Sequence, residues 1–589
     1  MRIATFRQRL AAGCFLLAVI AAAIGMGRDW MEISTHGDFA YQGHGGTFKN
    51  TLAEFDTPDP SVVYHDGYYY MTFTHNGADV MVMKSRTLDF RGAQRQTVWI
   101  PPADTAYSAN VWAPEIQRIG GKWYIYFAAD DGLNENHRMY ALEADSDDPM
   151  GSYTFKGQVA DETNKWAIDG LAMEHDGKLY FVWSGWEGDV NVQQNTYIAP
   201  MSDPLTISGP RVLLNEPTLD WERAGGPPYI NEGQAILKKN GRLFIVYSGA
   251  GSWTPYYALG MLALKPGADP LKAESWEKSP QPMLQLDEEA GVFGPGHNSF
   301  VSSPDGSEEC WIVYHATTGW SDGWNNRKAR AQKIMWNEDG LPEFGRPLSL
   351  NTAIPVPSGS GLAKAEHAKK AGARLEFDFM ESTVDTTAPL LIHYRQKSGD
   401  KRKIDLLVNG KQAADAIEVP AMAADEIGYL YVPISLIPGL NTVSLPAGQQ
   451  GLDILAIEIP RYEAENAQSA GQAAAAALPL NSGWGAVLLT SSGDAAEGPA
   501  STLRFANIAI PKNGTYKLRF AVSNAEEQAA SLKSALDGGK ERTVEIAPTE
   551  RNEYAPAELE VKLQAGVHEI TVEAVSGRVY VDYLDIYGL

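Results

Sequence analysis

The sequence predicts an all-β chain, a five-bladed β-propeller followed by two β-sandwich modules. Three observations carry this reading. Five times in the first two-thirds of the chain, a polar residue leads into a tight turn and then a short aromatic strand. The lead residues Asp59, Glu115, Asp169, Glu232 and His297 are 56, 54, 63 and 65 positions apart, a repeat length that marks propeller blades. After a Gly/Pro/Ser stretch at 354–361, tryptophan nearly disappears, alanine rises, and two later segments end alike.

The chain opens with Arg2, Arg7 and Arg9, then the apolar, Ala-rich run 10–27, then Arg28 and Asp29. This is the pattern of a secretory signal peptide at 1–27, with small residues near Gly25 for cleavage and export as the consequence. The run also meets the ~18–20-residue length of a bilayer span, so an uncleaved anchor is the alternative. Removal of the signal takes Cys14 and leaves Cys310 as the one cysteine, and no internal disulfide is then expected. Cys310 lies in the apolar strand Cys-Trp-Ile-Val-Tyr and reads as a buried structural thiol. A net charge of -24 counts against nucleic-acid binding, which calls for a basic stripe. It suits a neutral or weakly charged substrate, and solubility alone accounts for it equally well.

The propeller is expected over 28–355. Its hairpin turns are Asp66-Gly67, Gly120-Gly121, Asp176-Gly177, Asn240-Gly241 and Asp305-Gly306. Such pairs tolerate positive φ and are the strongest short-range hairpin signal. The strands after them are β-branched and aromatic, for example Lys122-Trp-Tyr-Ile-Tyr-Phe and Arg242-Leu-Phe-Ile-Val-Tyr. The stretch 354–361 reads as a linker. Sandwich modules are expected at 362–460 and 461–589, because each ends in paired, alternating strands. Leu452-Asp-Ile-Leu-Ala-Ile-Glu-Ile closes the first, and Val579-Tyr-Val-Asp-Tyr-Leu-Asp-Ile closes the second. The Ala-rich run 472–478 reads as a loop or a short helix.

Blades are arranged radially around one channel, so equivalent positions converge, and four of the five lead residues are carboxylic acids. Glycoside hydrolysis needs two carboxyl groups flanking the scissile bond. A third can tune the proton donor, because a nearby carboxylate raises its neighbour's pKa. Asp59 precedes Pro60, which fixes the local chain. Asp169 and Glu232 each precede a glycine, which keeps the backbone clear beside the carboxylate. A single Asp-Gly would read as a turn; repetition at blade starts reads as a site.

These motifs resemble glycoside hydrolase family 43. The matching segments are Asp59-Pro60, Trp112-Ala-Pro-Glu115, Ile168-Asp-Gly170 with Leu179-Tyr-Phe-Val-Trp-Ser-Gly-Trp186, Asn231-Glu-Gly233 and Gly294-Pro-Gly-His-Asn-Ser299. The resemblance implies a five-bladed propeller and an inverting hydrolase. It implies Asp59 as general base, Glu232 as general acid, and Asp169 as the acid that orients Glu232 and raises its pKa. It places His297 on the channel axis near calcium or another ion, or as a hydrogen-bonded structural histidine. Arg330 matches an arginine that contacts the base, or is a surface arginine. Trp112 and Trp186 are candidates for stacking on a sugar face, or else blade core. Glu115 lines the pocket or bridges blades. Within the family, the 229–233 and 294–300 strings look most like secreted α-L-arabinofuranosidases, including exo-acting types on 1,5-linked arabinan, apart from Gln234, where that group often has proline.

The last module opens on Tyr462-Glu-Ala-Glu-Asn466 and resembles carbohydrate-binding modules of families 6 and 35. That resemblance makes Glu463, Glu465 and Asp585 matching candidates for a structural calcium site, which oxygen-rich groups suit. Trp484 is a sugar platform or a core residue. The middle module lacks a clear opening motif and reads as a degenerate copy. The implied function is a secreted exo-α-L-arabinofuranosidase acting on plant cell-wall arabinan, arabinoxylan or arabino-oligosaccharides, with no organic cofactor. β-Xylosidase, endo-arabinanase and an inactive sugar-binding protein are the alternatives.

Overall fold

The computed structural model describes residues 31–33 and 47–588, apart from short stretches at 305, 307–308, 383–385, 397–401, 420–426, 438, 449–450, 494–498, 511–512 and 551–552. The expected signal peptide, residues 1–27, and Asp305 of the last hairpin turn lie outside the described residues. The described part is almost wholly β, with short 3₁₀ turns. It forms two compact units. One holds Gly45–Ser360 and Ala476–Ala486; the other holds Met31–Ile33 with Gly361–Ala475 and Val487–Leu589.

The first unit is a propeller of five antiparallel sheets. Blade 1 runs Ser61–His65, Tyr68–Thr72, Val80–Ser85 and Gln94–Trp99. Blade 2 runs Ala109–Ile119, Lys122–Asp130, Arg138–Ala144 and Tyr153–Gln158. Blade 3 runs Ala167–His175, Lys178–Gly185 and Asn195–Asp203, with Thr206–Ile207 and Val212–Asn215 at its edge. Blade 4 runs Asn231–Lys239, Arg242–Gly249, Ala258–Leu264 and Trp276–Lys278. Blade 5 has Phe293–Ser302, Cys310–Thr317 and Lys328–Lys333. Along its outer side Leu52 N–H donates to Ala329 O at 2.8 Å and Thr57 N–H to Arg327 O at 2.9 Å. Asn50 exchanges side-chain hydrogen bonds with the Ala331 backbone at 3.1 and 2.8 Å. The start of the propeller chain thus satisfies the last sheet's edge, which a closed ring must cover.

Hydrogen bonds between successive blades go round the whole ring. Ser61 accepts from Ile116 N–H, Gln117 exchanges two bonds with Ala172, and Ser184 donates to Asn231 O. Ser248 accepts from His297 N–H, and Ser299 accepts from Val62 N–H. Between blades lie aromatic and aliphatic cores, such as the one joining Tyr126, Phe181 and Trp183. Cys310 faces another of these cores, and burial raises its thiol, which keeps it protonated.

Among the described residues the second unit contains two large cores, one drawn from 363–459 and one from 462–586, and a small cluster in which Val567 packs against Leu391, Tyr429 and Tyr431. Two five-stranded sheets in this unit share one order. In the first, Lys369–Ala371, Arg374–Ser382, Gly439–Pro446, Arg402–Val408 and Lys411–Val419 lie side by side. In the second the order is Gln468–Ala470, Thr502–Ile510, Gly566–Ser576, Ala530–Leu536 and Glu541–Ile546. Met31–Ile33, grouped with the propeller from sequence, pairs instead with Gly428–Leu436 here. The Ala-rich run is neither loop nor helix throughout, since Ala474–Ala476 is a strand.

Candidate active site

Every inner strand begins at the same end of the propeller, and there the backbone departs from regular β geometry. Asp59, Ala113, Asp169 and His297 have φ of 58, 44, 54 and 41°, and Gly233 has 61°. The inner strands of blades 2 to 5 carry irregular register at these points. A bulge adds residues to one strand and re-aims a side chain, and left-handed backbone at non-glycine residues gathers at functional sites. The lead residues are therefore not equivalent one for one. Glu115 follows the left-handed residue of its blade by two positions, and Glu232 precedes its own by one.

All five lead residues converge. The His297 imidazole is central: Nε2 lies 3.0 Å from Glu115 Oε1, and Nδ1 lies 3.5 Å from Asp59 Oδ1 and 3.7 Å from Asp169 Oδ2. Burial works against its charge, but Asp169, Asp59 and Glu115 prevail and push its pKa up to about 10. The surrounding carboxylates thus favour the protonated form of His297.

Asp59 is buried, which by itself would raise its pKa. Arg327, His297 and His315 overcome this and hold it well below the usual carboxylate range. Arg327 Nη1 lies 3.3 Å from Oδ1, and Thr74 donates to Oδ2 at 2.7 Å. The Asp59 N–H donates to His315 Nδ1 at 3.0 Å, so that nitrogen is an acceptor. Burial lowers the His315 pKa to about 4, so its contact with Asp59 is not an ion pair at neutral pH.

Glu232 has the opposite setting. Burial, then the Asp169 charge, pushes its pKa up to about 8, against a hydrogen bond from Tyr257. Tyr257 Oη donates to Glu232 Oε1 at 3.0 Å, which leaves Oε2 to carry the proton. Asp169 Oδ2 accepts the Gly233 N–H at 2.8 Å, tying it to the residue after Glu232. Burial raises the Asp169 pKa to about 6, with His297 opposing.

Several sequence expectations change. Arg330 does not reach Asp59: it is fully buried, and Nη2 donates to Thr317 O at 3.1 Å. Arg327, three residues earlier in the same basic run, takes that place. A strand rises about 3.3 Å per residue, so Arg330 lies roughly 10 Å farther from the channel mouth. Trp186 is 4 % exposed and stacks on Trp166 at 4.7 Å, as blade core does. Trp112 is half-buried and stacks on His137 at 4.0 Å. Trp484 is exposed, in the 476–486 segment of the propeller unit, where Lys333 Nζ donates to Asn481 O and Gly483 O. Gln234 is buried and donates to Thr196 Oγ1. The sequence reading missed Tyr257, His315 and Thr74, which lie in or beside strands whose register alone brings them to the carboxylates.

At the expected calcium sites the candidate side chains engage one another. Both His297 nitrogens face carboxylates, at 3.0 to 3.7 Å. In the last module, Arg461 takes both oxygens of Asp585, at 2.9 and 2.7 Å. Glu463 is buried and Glu465 half-buried beside it in sequence. Among the described residues, no three His, Cys, Asp or Glu side chains are gathered as a metal would need.

The profile of "Glycosyl hydrolases family 43" matches residues 48–342. The chain belongs to this family. It is 39 % identical over 313 residues to an extracellular exo-α-(1→5)-L-arabinofuranosidase of Streptomyces avermitilis, covering 51 % of this chain and 64 % of that protein. It is 36 % identical over 274 residues to a protein of the same name from Streptomyces chartreusis, covering 46 % and 82 %. An α-L-arabinofuranosidase 43 of Humicola insolens is 35 % identical, with 51 % and 62 % covered. The chain thus spans under two thirds of the Streptomyces avermitilis and Humicola relatives. A crystal structure of an α-L-arabinofuranosidase from Lactobacillus brevis is similar at 36 % identity and TM-score 0.49, over 52 % of this chain and 98 % of that one. In this family-43 chain the matched region is the propeller that holds the carboxylate ring.

Proposed function

We propose that this family-43 protein is a secreted, exo-acting α-L-arabinofuranosidase that removes arabinose from plant polysaccharide or oligosaccharide with inversion. The observation that carries the reading is the opposite protonation of two buried acids in one ring: Asp59 held ionised by Arg327, Glu232 held protonated at neutral pH. Glu232 is the general acid and gives its Oε2 proton to the leaving glycosidic oxygen. Asp59 is the general base; it takes a proton from a water whose oxygen attacks the anomeric carbon. Asp169 keeps Glu232 protonated by its charge and grips the Gly233 N–H. His297 neutralises the ring without joining the chemistry. The arabinoside preference rests on the similarity to named arabinofuranosidases, and export rests on their being named extracellular.

The test is hydrolysis of para-nitrophenyl α-L-arabinofuranoside and β-D-xyloside by the purified protein beside Glu232→Gln. Arabinoside cleavage that falls by about 10²–10⁴ in the variant supports the reading. Xyloside preference makes it a xylosidase. Release of the β-anomer, seen by NMR at early times, supports inversion, and the α-anomer sinks it.

A further inference from the structure

Blade 4 supplies the proposed proton donor, and a buried polar network stands behind it. Glu222 lies in the 3₁₀ turn Trp221–Arg223, ahead of the blade's first strand. It is fully buried, a place an acid almost never takes unless it is paired. Its Oε2 accepts the Thr218 and Leu219 N–H groups, each at 2.8 Å. Its Oε1 accepts Asn231 Nδ2 at 3.1 Å and Tyr247 Oη at 2.9 Å. Lys278 Nζ reaches both oxygens, at 2.7 and 2.8 Å. Asn231, Tyr247 and Lys278 belong to the first, second and outermost strands of the blade. The turn is seated on two glycines: a Cβ would stand 2.6 Å from the Trp221 ring at Gly249 and 2.7 Å from it at Gly260.

Two routes lead from Glu222 to Glu232. The first is through Asn231, which directly precedes Glu232. Besides its bond to Glu222, Asn231 accepts Asn215 Nδ2 at its Oδ1 at 2.9 Å. Its N–H donates to Gln194 O at 3.0 Å, and its carbonyl accepts Ser184 Oγ at 2.9 Å. The second route is through the loop after the second strand. Glu222 O accepts the Ala250 N–H at 3.0 Å. Ala250 has a left-handed φ of 66°, which persists only where the surroundings enforce it. The loop that starts there ends at Tyr257, whose hydroxyl donates to Glu232.

A buried ion pair is weak evidence for stability, since apolar packing of the same volume often does as well. What such a network supplies here is a fixed direction. Glu232 Oε2 has to stay open to give up its proton, so the acid cannot be locked through that oxygen. Its aim then depends on the backbone on either side. Asp169 grips the Gly233 N–H after it, and Glu222 grips Asn231 before it. We infer that Glu222, paired with Lys278, is a positioning residue for the proton donor. It holds Asn231 and the Ala250 end of the Tyr257 loop so that Glu232 meets the leaving oxygen. An error of about 1 Å in such a group costs roughly 10²-fold in rate. This rests on the reading of Glu232 as general acid above.

The test compares α-1,5-linked arabinobiose with para-nitrophenyl α-L-arabinofuranoside in wild type, Glu222→Gln, Asn231→Ala and Glu232→Gln. A sugar alkoxide is a poor leaving group and leans heavily on the proton donor. Para-nitrophenolate is a stabilised anion and leans on it less. Glu222→Gln keeps the shape of the side chain but turns an amide N–H₂ toward groups that donate. The expected result is a fall in kcat about tenfold larger on arabinobiose than on the nitrophenyl glycoside, with KM little changed. Glu232→Gln should show a split of the same sense. Asn231→Ala leaves Glu222 and Lys278 in place and should show it too, which keeps the test open if Glu222→Gln does not fold. Equal losses on both substrates, or none, in the folded Glu222 and Asn231 variants overturn the positioning role and leave the function standing. No split in Glu232→Gln, or a wild type inactive on both substrates, overturns the reading of the acid and this inference with it.

Discussion

Single residues set the chemistry through charge and burial. As the proposed general acid Glu232 must carry a proton, and with its pKa pushed up to about 8 activity should fall as pH rises through that value. Two variants should move this alkaline limb in opposite directions. The Asp169 charge raises the Glu232 pKa, so Asp169→Asn should shift the limb to lower pH. The Tyr257 hydrogen bond lowers it, so Tyr257→Phe should shift the limb to higher pH. A pH profile of kcat/KM measures both, and shifts of the same sign would refute the assignment. Arg327→Met removes the leading charge that lowers Asp59. Its kcat/KM should fall by roughly 10²-fold, and its acid limb should rise. Arg330→Met, which removes a contact to Thr317 O instead, should leave the acid limb where it is. That contrast is the sharpest check on which arginine serves Asp59, the proposed base. The sequence put both arginines in one short run, but only strand register separates the one at the mouth from the one inside.

At the scale of elements, the repeated irregular strand start is the device that points side chains inward. Gly233 shows how tight it is: a Cβ there would stand 3.1 Å from His297 Cα, at φ +61°. Gly233→Ala should cost about 1–3 kcal/mol by denaturant midpoint and lower kcat, since neither backbone can give way. The hairpin turns and aromatic strands were legible because turn chemistry and alternation are local. The bulges were not, because an extra residue leaves the side-chain pattern almost unchanged. The middle module's opening was missed for a related reason. Its strand Ala363–Lys364, turn Ala365–His367 and strand Lys369–Ala371 repeat the last module's Tyr462–Glu463, Ala464–Asn466 and Gln468–Ala470. Lys364 stands where Glu463 stands while Glu366 keeps the place of Glu465, so half of the acidic signature is lost while the backbone path is kept.

For the whole molecule, ring closure is the property on which the site depends, because Asp59 belongs to blade 1 and its partners Arg327 and His315 to blade 5. Asn50→Ala removes two buried hydrogen bonds that seal the ring and leaves the Ala331 backbone unsatisfied. It should lower stability by about 1–3 kcal/mol, read from the unfolding midpoint. The sequence by itself determined the fold class and the five repeats, and showed which acids lead the blades, since these follow from local turns, strand alternation and residue type. Only the tertiary structure decided which arginine meets Asp59, that three carboxylates surround His297, and that Trp186 lies in the core while Trp320 and Trp324 face outward. Burial and charge pairing are set by residues far apart in the chain, as with Arg327 and Asp59, 268 positions apart, and no local pattern encodes them.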